Sequence, residues 1–399
     1  MFVLKRFLHD FVIAVAGIVS RFLPDRVPVA FVGVDASREL CESIAHTHAR
    51  KVLIVTDAVL VEIGLIDPVT ESLRAAGMEW SIYSGVEPDP TFAHVEEGLA
   101  LLKLEGCDAI LAVGGGSPMD AAKLIAALAT NRVAISKLEG LLKVRRTPMP
   151  LYAIPTTAGT GSEATLAAVI SDPETHTKKF FIDPKLLPLM AALDPSLTLK
   201  LPPAISAATG MDALTHALEA FLSRTANETT DGYAAIAVRL IFDHLGTAFS
   251  DGGNMEARKA MALASYYAGL AFTRTGVGYV HAIAHSFGAY YGTPHGLGNA
   301  IVLPHVLEFS KGPAQAQLAR LAELIGLEAA SSGDKAQKFI DAVRELMNRI
   351  EIPATLDALK ESDIPSLARQ ALAEAHLTYP VPRYMSQREC EALLARLVA

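Results

Sequence analysis

The chain changes character near residue 198, and that change limits its fold more than any other feature. From Pro28 onward, apolar strand-like runs alternate with amphipathic helical ones: VAFVG (29–33), SRELCESIAHTHA (37–49), KVLIVTD (51–57), VTESLRAAG (69–77), EWSIYSGV (79–86), HVEEGLALLKLEG (94–106) and CDAILAVGGGS (107–117). Such alternation predicts a mostly parallel sheet covered by helices on both faces. Beyond residue 201 the strand signals stop, and helical stretches such as YAAIAVRLIFDHL (233–245) and EARKAMALASYYAGLAF (256–272) take over. Asp194 and Pro195 mark the passage. With 399 residues, 51% of them hydrophobic, the chain can fill two cores. The expected division is an extension at 1–27, an α/β dinucleotide-binding domain at 28–198 and a helical metal-binding domain at 199–399.

The extension has Lys5 and Arg6 ahead of an apolar run from Phe11 to Val19. The run is too short to span a bilayer, and no small-residue cleavage site follows it. It reads as an amphipathic helix packed on the protein or on a second subunit rather than on a membrane. A net charge of −8 and the lack of any basic cluster argue against a nucleic-acid partner. Cys41, Cys107 and Cys390 show no paired spacing, which fits a reducing, cytoplasmic compartment and excludes a thiolate zinc cage.

A buried strand from Ala109 to Val113 runs directly into Gly114, Gly115 and Gly116. Glycines in a strand-to-helix turn let a phosphate approach bare backbone at a helix N-terminus, which suits a nucleotide diphosphate. Ser117, Pro118 and Asp120 read as N-cap, N1 and N3 of the following helix, a capping box closed by an aspartate. Asp57, at the end of KVLIVTD, suits either a hydrogen bond to an adenosine ribose or the N-cap of the next helix. PTTAGTGSEAT (155–165) offers hydroxyls and backbone amides to a cofactor, and Lys179 in KKFFID can reach the same cleft.

Four of the twelve histidines, His281, His285, His295 and His305, fall between Gly276 and Val306. His281 and His285 are four apart, hence on one face of a helix. His295, between Pro294 and Gly296, is expected on a loop that folds back past the helix end. A second pair, Asp212 and His216, is again four apart. One carboxylate and three imidazoles drawn from this set make a shell for a divalent transition metal. His305 has no partner at ligand spacing and reads as structural, near a helix start.

GGGSPMDAAK (114–123), PTTAGTGSE (155–163), DPSLTLKLPP (194–203), TGMDALTHALEAF (209–221) and GYVHAIAHSFGAYYGTPHGLGNAIVLPHV (278–306) together resemble the iron-containing, group III alcohol dehydrogenase family. The resemblance covers roughly residues 28–399. It implies an N-terminal Rossmann-like domain and an all-α C-terminal domain, a dehydroquinate synthase-like architecture, with NAD(P) and metal in the cleft between them and a homodimer common. By position, the metal ligands implied are Asp212, His216, His281 and His295, with His285 a non-ligand beside the nicotinamide. Gly115, Gly116 and Ser117 are implied at the pyrophosphate, where Asp120 is counted as well. Thr156, Thr157 and Thr160 are implied as further cofactor contacts, with Asp57 on the ribose and Lys179 near the cofactor. Where many members have an asparagine-rich segment, this chain has FTRTGV (272–277), and Arg274 points to a polar or anionic substrate, such as a hydroxy acid.

The activity expected is hydride transfer between a nicotinamide and a metal-bound alcohol or aldehyde. Four protein ligands leave room for substrate when the metal expands its coordination, which favours Fe²⁺ over Zn²⁺. Asp57 meets the 2′-phosphate of NADP with like charge, which favours NAD. The alternatives are a zinc polyol dehydrogenase or sugar-phosphate cyclase of the same superfamily, which show one Asp and two His, and a non-catalytic nucleotide-binding scaffold.

Overall fold

A computed structural model describes Phe7, residues 9–14, Gly17, residues 26–172 and residues 177–399. The chain forms two compact units, residues 24–200 and residues 1–23 with 201–399. The rest of the N-terminal extension lies outside the described residues.

Among its described residues the first unit holds nine strands: β1 (Val29–Val32), β2 (Lys51–Val55), β3 (Glu79–Tyr83), β4 (Ala109–Gly114), β5 (Gly140–Leu141), β6 (Leu151–Pro155), β7 (Ala167–Asp172), β8 (Thr177–Ile182) and β9 (Met190–Leu193). Six form a sheet in the order β1-β9-β6-β4-β2-β3, and every pair in it is parallel. The period-two pattern of the sequence sorts its residues to two cores. Leu53, Val55, Ile110 and Ala112 face one core with α4 (Phe92–Leu104) and α5 (Gly116–Asn131), through Val95, Leu102, Ile125 and Leu128. Val52, Ile54, Leu111 and Val113 face the other with α1 (Ala36–Ala45) and α3 (Asp67–Ala75), through Leu40, Ile44, Val69 and Leu73. Truncating any one of these large aliphatics to Ala costs about 2–5 kcal/mol. The remaining three strands form a separate sheet, β5-β8-β7, whose β7–β8 pair is antiparallel. The alternating pattern gave no sign of it.

In the six-stranded sheet, β2 and β4 are neighbours, yet their onward connections leave in opposite directions, to β3 and to β6. A crevice opens at the carboxyl ends of two such strands, and ligands of open α/β sheets bind there.

The second unit contains α6 (Pro203–Leu222), α7 (Glu228–Ser250), α8 (Met255–Thr275), α9 (Tyr279–Tyr291), α10 (His295–Ser310), α11 (Gln315–Leu324), α12 (Ser332–Arg349), α13 (Ile364–Thr378) and α14 (Gln387–Leu394). No strand occurs among its described residues. Helix α6 is buried on every side from Gly210 to Leu218, as expected of a core helix. It packs on α7, α8 and α10. Gly210 permits the approach of α7, since a Cβ there would stand 2.3 Å from Leu245 Cδ1. The described N-terminal residues 9–14 are helical and packed on this unit. Ile13 is buried, His9 Nδ1 donates to the His376 carbonyl at 2.8 Å, and Asp10 pairs with Arg224. Among the described residues, no helix is long and apolar enough to cross a membrane.

Candidate functional site

In the first unit the crevice at β2 and β4 gathers most of the expected cofactor residues. Val55 pairs with Ala112, so Asp57 and Gly114, each two residues further on, stand level across it. Gly114 has φ 152°, and a Cβ there would meet Pro118 Cγ at 2.6 Å, so the turn requires glycine. Beyond β6, the Thr156 amide donates to the Gly114 carbonyl at 3.0 Å, which draws the PTTAGTGSE loop over the turn. A Cβ on Gly115 would lie 3.4 Å from Thr157 Oγ1, and one on Gly116 3.0 Å from Thr160 Cγ2. The bare turn and the two half-buried threonines therefore form one small cradle at the start of α5.

Two local expectations are corrected here. The N-cap of α5 is Gly115, not Ser117, and no side chain caps it. Asp120 is therefore not the N3 partner of a capping box. It turns to the adjoining loop instead, accepting from Ser162 Oγ at 2.8 Å and from the Val169 amide at 2.9 Å. The physical reason is that glycine lets the chain enter the helix two residues earlier, with no side chain over the first amides. Asp57 is the N-cap of the short helix α2 (Ala58–Glu62), its Oδ1 accepting from the Leu60 amide at 2.9 Å. Lys179 lies on β8 with its Nζ 3.7 Å from Glu139 Oε1 and 3.9 Å from Asp172 Oδ2.

The sequence reading missed Lys123, although it stands inside a quoted motif. It is fully buried and donates to Ser162 Oγ, Thr165 Oγ1 and the Ala167 carbonyl at 2.7–2.8 Å. Burial pushes its ammonium down to about 8 and the nearby Glu163 carboxyl up to about 7. Its one signal was the i,i+3 spacing from Asp120.

In the second unit, α6 supplies Asp212 and His216, and α9 supplies His281, all buried. One donor atom from each lies within 4.8 Å of the others. His295 is not on a loop, as its flanking residues suggested. Gly292, in the left-handed region at φ 63°, ends α9, and His295 is the first residue of α10. Its Nε2 lies 3.4 Å from Asp212 Oδ1, and its ring centroid 5.3 Å from that of His281. Gly296 allows this approach, because a Cβ there would stand 2.3 Å from the Ala208 carbonyl oxygen. His305 is likewise corrected: it sits in the interior of α10, after Pro304, and burial lowers its pKa.

The donor set fits a divalent cation. His281 Nε2 is buried with no hydrogen-bond partner, 3.9 Å from Asp212 Oδ1. Ligand bonds near 2.0–2.2 Å place neighbouring donors of one ion about 3–3.6 Å apart, so this pair needs only a small shift to share one. Burial, followed by the neighbouring His216, His295 and His285, holds the His281 imidazole well below its usual pKa, so it is neutral and ready to bind. The His216 ring lies between Phe272, stacked at 4.0 Å, and His281 at 4.5 Å.

His285 faces the same region, its ring stacked 5.2 Å from His295. Its Nδ1 donates to Glu374 Oε1 at 2.7 Å, and the buried Tyr379 hydroxyl donates to the same oxygen at 2.5 Å. Glu219 accepts from His281 Nδ1 at 2.7 Å, and Asn299 Nδ2 donates to Asp212 Oδ1 at 2.7 Å. Burial pushes the Glu219 carboxyl pKa up, while the Gly278 and Val280 amides and His281 Nδ1 pull it back; with N–H donors on both oxygens, the geometry suits the ionised form. None of these partners was read from the sequence. Glu219 and Asn299 had a helical signal, three residues after His216 and four after His295.

A parallel sheet with a glycine turn at its switch point, and a helical unit with a buried carboxylate–imidazole cluster, are the parts that a metal-dependent, nucleotide-linked oxidoreductase needs. Residues 28–195 match the family described as iron-containing alcohol dehydrogenase, and residues 206–398 match the C-terminal part of the Fe-containing alcohol dehydrogenase family. The chain belongs to the iron-containing alcohol dehydrogenase family. It is 39% identical over 357 residues to the NAD-dependent methanol dehydrogenase of Bacillus methanolicus, covering 88% of this chain and 93% of that one. It is 40% identical over 371 residues to the 1,3-propanediol dehydrogenase of Klebsiella pneumoniae, covering 92% and 96%. Its fold matches the crystal structure of a 1,3-propanediol oxidoreductase with a TM-score of 0.90 and 40% identity, over 93% of this chain and 98% of that one.

Proposed function

We propose that the protein is an NAD-linked, iron-dependent alcohol dehydrogenase and aldehyde reductase acting on small alcohols. The observation that carries this reading is the buried Asp212–His216–His281 cluster, with His281 Nε2 aimed into it and unpartnered. Asp212, His216, His281 and His295 would hold Fe²⁺. Gly115, Gly116 and Ser117, with Thr156, Thr157 and Thr160, would hold the pyrophosphate side of NAD, and Asp57 the ribose. Asp120 and Lys179 belong to the same reading as residues beside the cofactor, Asp120 acting through the loop it ties down. When bound, the two groups supply a Lewis acid at the alcohol oxygen and a hydride acceptor or donor.

The rest is the work of side chains. Nδ1 of His285 is committed to Glu374, so Nε2 is the atom that takes the alcohol proton or returns it. Phe272, stacked on the His216 ring, covers that member of the cluster on one face. Arg274, two residues past Phe272 and half-buried in the last turn of α8, would read a polar or anionic substrate end. Methanol and 1,3-propanediol, named for the relatives, support a small primary alcohol at the reacting carbon. The three free, buried cysteines fit a cytoplasmic enzyme, and a homodimer is part of the same reading.

The test is a screen of small alcohols, aldehydes and hydroxy acids on anaerobic, iron-reconstituted protein, followed at the reduced-nicotinamide absorbance. Turnover with at least one small alcohol or aldehyde is expected, and a flat response to all of them with Fe²⁺ bound sinks the reading. In the same assay, His285→Ala should keep its iron while kcat falls and its pH profile changes. Loss of the iron from that variant would make His285 a ligand instead.

A further inference from the structure

We propose that Glu219 is a positioning residue that fixes the tautomer of His281 and so sets how tightly the cluster holds its cation. The proposal rests on the metal-dependent reading above. Glu219 lies on α6, seven residues after Asp212 and three after His216, so one helix carries two donors and the group that aligns a third. Its carboxylate gathers three donors from the start of α9. Oε2 accepts from the Gly278 amide at 2.6 Å and from His281 Nδ1 at 2.7 Å, and Oε1 accepts from the Val280 amide at 2.8 Å.

The first amides of a helix have no partner within it. The N-cap of α9 is Gly278, which has no side chain to cap them, so α6 supplies the cap across the packing interface. The same carboxylate holds the imidazole proton on Nδ1. That leaves the Nε2 lone pair facing Asp212 Oδ1, 3.9 Å away, in a buried position without a hydrogen-bond partner. The other tautomer would aim an N–H into the cluster and block a ligand bond. A carboxylate on the far nitrogen also raises the basicity of the ligating one. Cap and tautomer lock are therefore one group, and its place is protected: a Cβ on Gly278 would stand 2.6 Å from Glu219 Oε1.

Helix α9 contains its own control. His285, four residues on, has its Nδ1 held by Glu374 at the same 2.7 Å, but this ring is not among the ligands we assign. A general loss of order in α9 would follow from disturbing either carboxylate, whereas a tautomer lock on the metal site belongs to Glu219 alone.

The experiment uses the full chain, freed of metal and titrated anaerobically with Fe²⁺ against a chromophoric chelator, with thermal melting of the metal-free protein measured alongside. The wild type should bind one Fe²⁺ per chain. Glu219→Gln retains the size but leaves at least one of the three donors facing an amide NH₂. It should bind Fe²⁺ about 10–100-fold more weakly at temperatures where it is fully folded. Glu374→Gln should bind as the wild type does. Wild-type affinity in folded Glu219→Gln, or an equal loss in both variants, overturns the proposal. Should Glu219→Gln not fold, Gly278→Ala displaces the carboxylate by crowding and must show the same weakening; unchanged affinity there overturns it equally. A wild-type chain that takes up no Fe²⁺ refutes the metal reading itself, and this role with it.

Discussion

The α/β unit and the helical unit present their candidate ligands in opposite ways. At the crevice of the first, the candidate contacts centre on bare backbone: Gly114 at φ 152° and Gly115 and Gly116 beneath two threonines, where an added carbon fills the space. In the second, the candidate contacts come from side chains projected by helices, and another side chain holds the buried Asp212 and His281: Asn299 and Glu219, while Glu374 holds the neighbouring His285. A phosphate is recognised by many weak, geometrically tolerant amides. A transition metal demands a few strong donors at fixed distances, so its site needs an outer layer that removes freedom. The two units should therefore fail differently when altered.

The largest effect is expected from His281→Ala. It should abolish iron binding and turnover, while NAD still binds, as measured by nicotinamide fluorescence and elemental analysis of the same sample. If NAD binding disappears too, the two sites are not separable in the way the comparison requires.

Next comes Gly116→Val in the other unit. The branched side chain would crowd Thr160, whose Cγ2 already lies 3.0 Å from the place of a Cβ. The Kd for NAD should rise by more than about tenfold, or ~1.4 kcal/mol, with iron content unchanged. Iron loss in this variant would show that the two sites do not fail independently.

Gly296→Ala should act on the metal side alone. Its Cβ would stand 2.3 Å from the Ala208 carbonyl oxygen, forcing α10 and His295 away from Asp212. Iron should bind about tenfold more weakly, with NAD affinity intact. Full iron affinity would mean that His295 contributes nothing as a ligand.

Asp57→Gly should have the smallest effect. Removing the cap on the Leu60 amide costs at most a few tenths of a kcal/mol, since glycine is itself a tolerated N-cap. The ratio of kcat/KM for NAD to that for NADP should fall by about tenfold, as a like-charge repulsion of ~1–2 kcal/mol is lifted. An unchanged ratio would leave Asp57 as a helix cap only.

These residues also mark how far sequence reading reached. The alternation of periods located β2, β4 and α5, and the four-residue spacings placed Asp212 with His216 and His281 with His285 on their helices. What failed locally were fine positions. Ser117 has the composition of an N-cap, but Gly115 takes that place. Pro294 and Gly296 read as loop around His295, yet they begin a helix because Gly296 must fit against α6. The sheet of β5, β8 and β7 went unseen because two of its strands connect through long-range pairing rather than through a repeated pattern.

The sequence by itself determined which side of each element faces a core, and thereby which candidates could converge, because helical and strand periodicities are local properties of backbone geometry. Only the tertiary structure decided what holds those candidates in place. Glu219 meets His281 across 62 residues, Asn299 meets Asp212 across 87, and Glu374 meets His285 across 89. Such pairs follow from which helices pack together and in what register. No spacing along the chain encodes that, since packing depends on the summed shape of many side chains rather than on any short pattern.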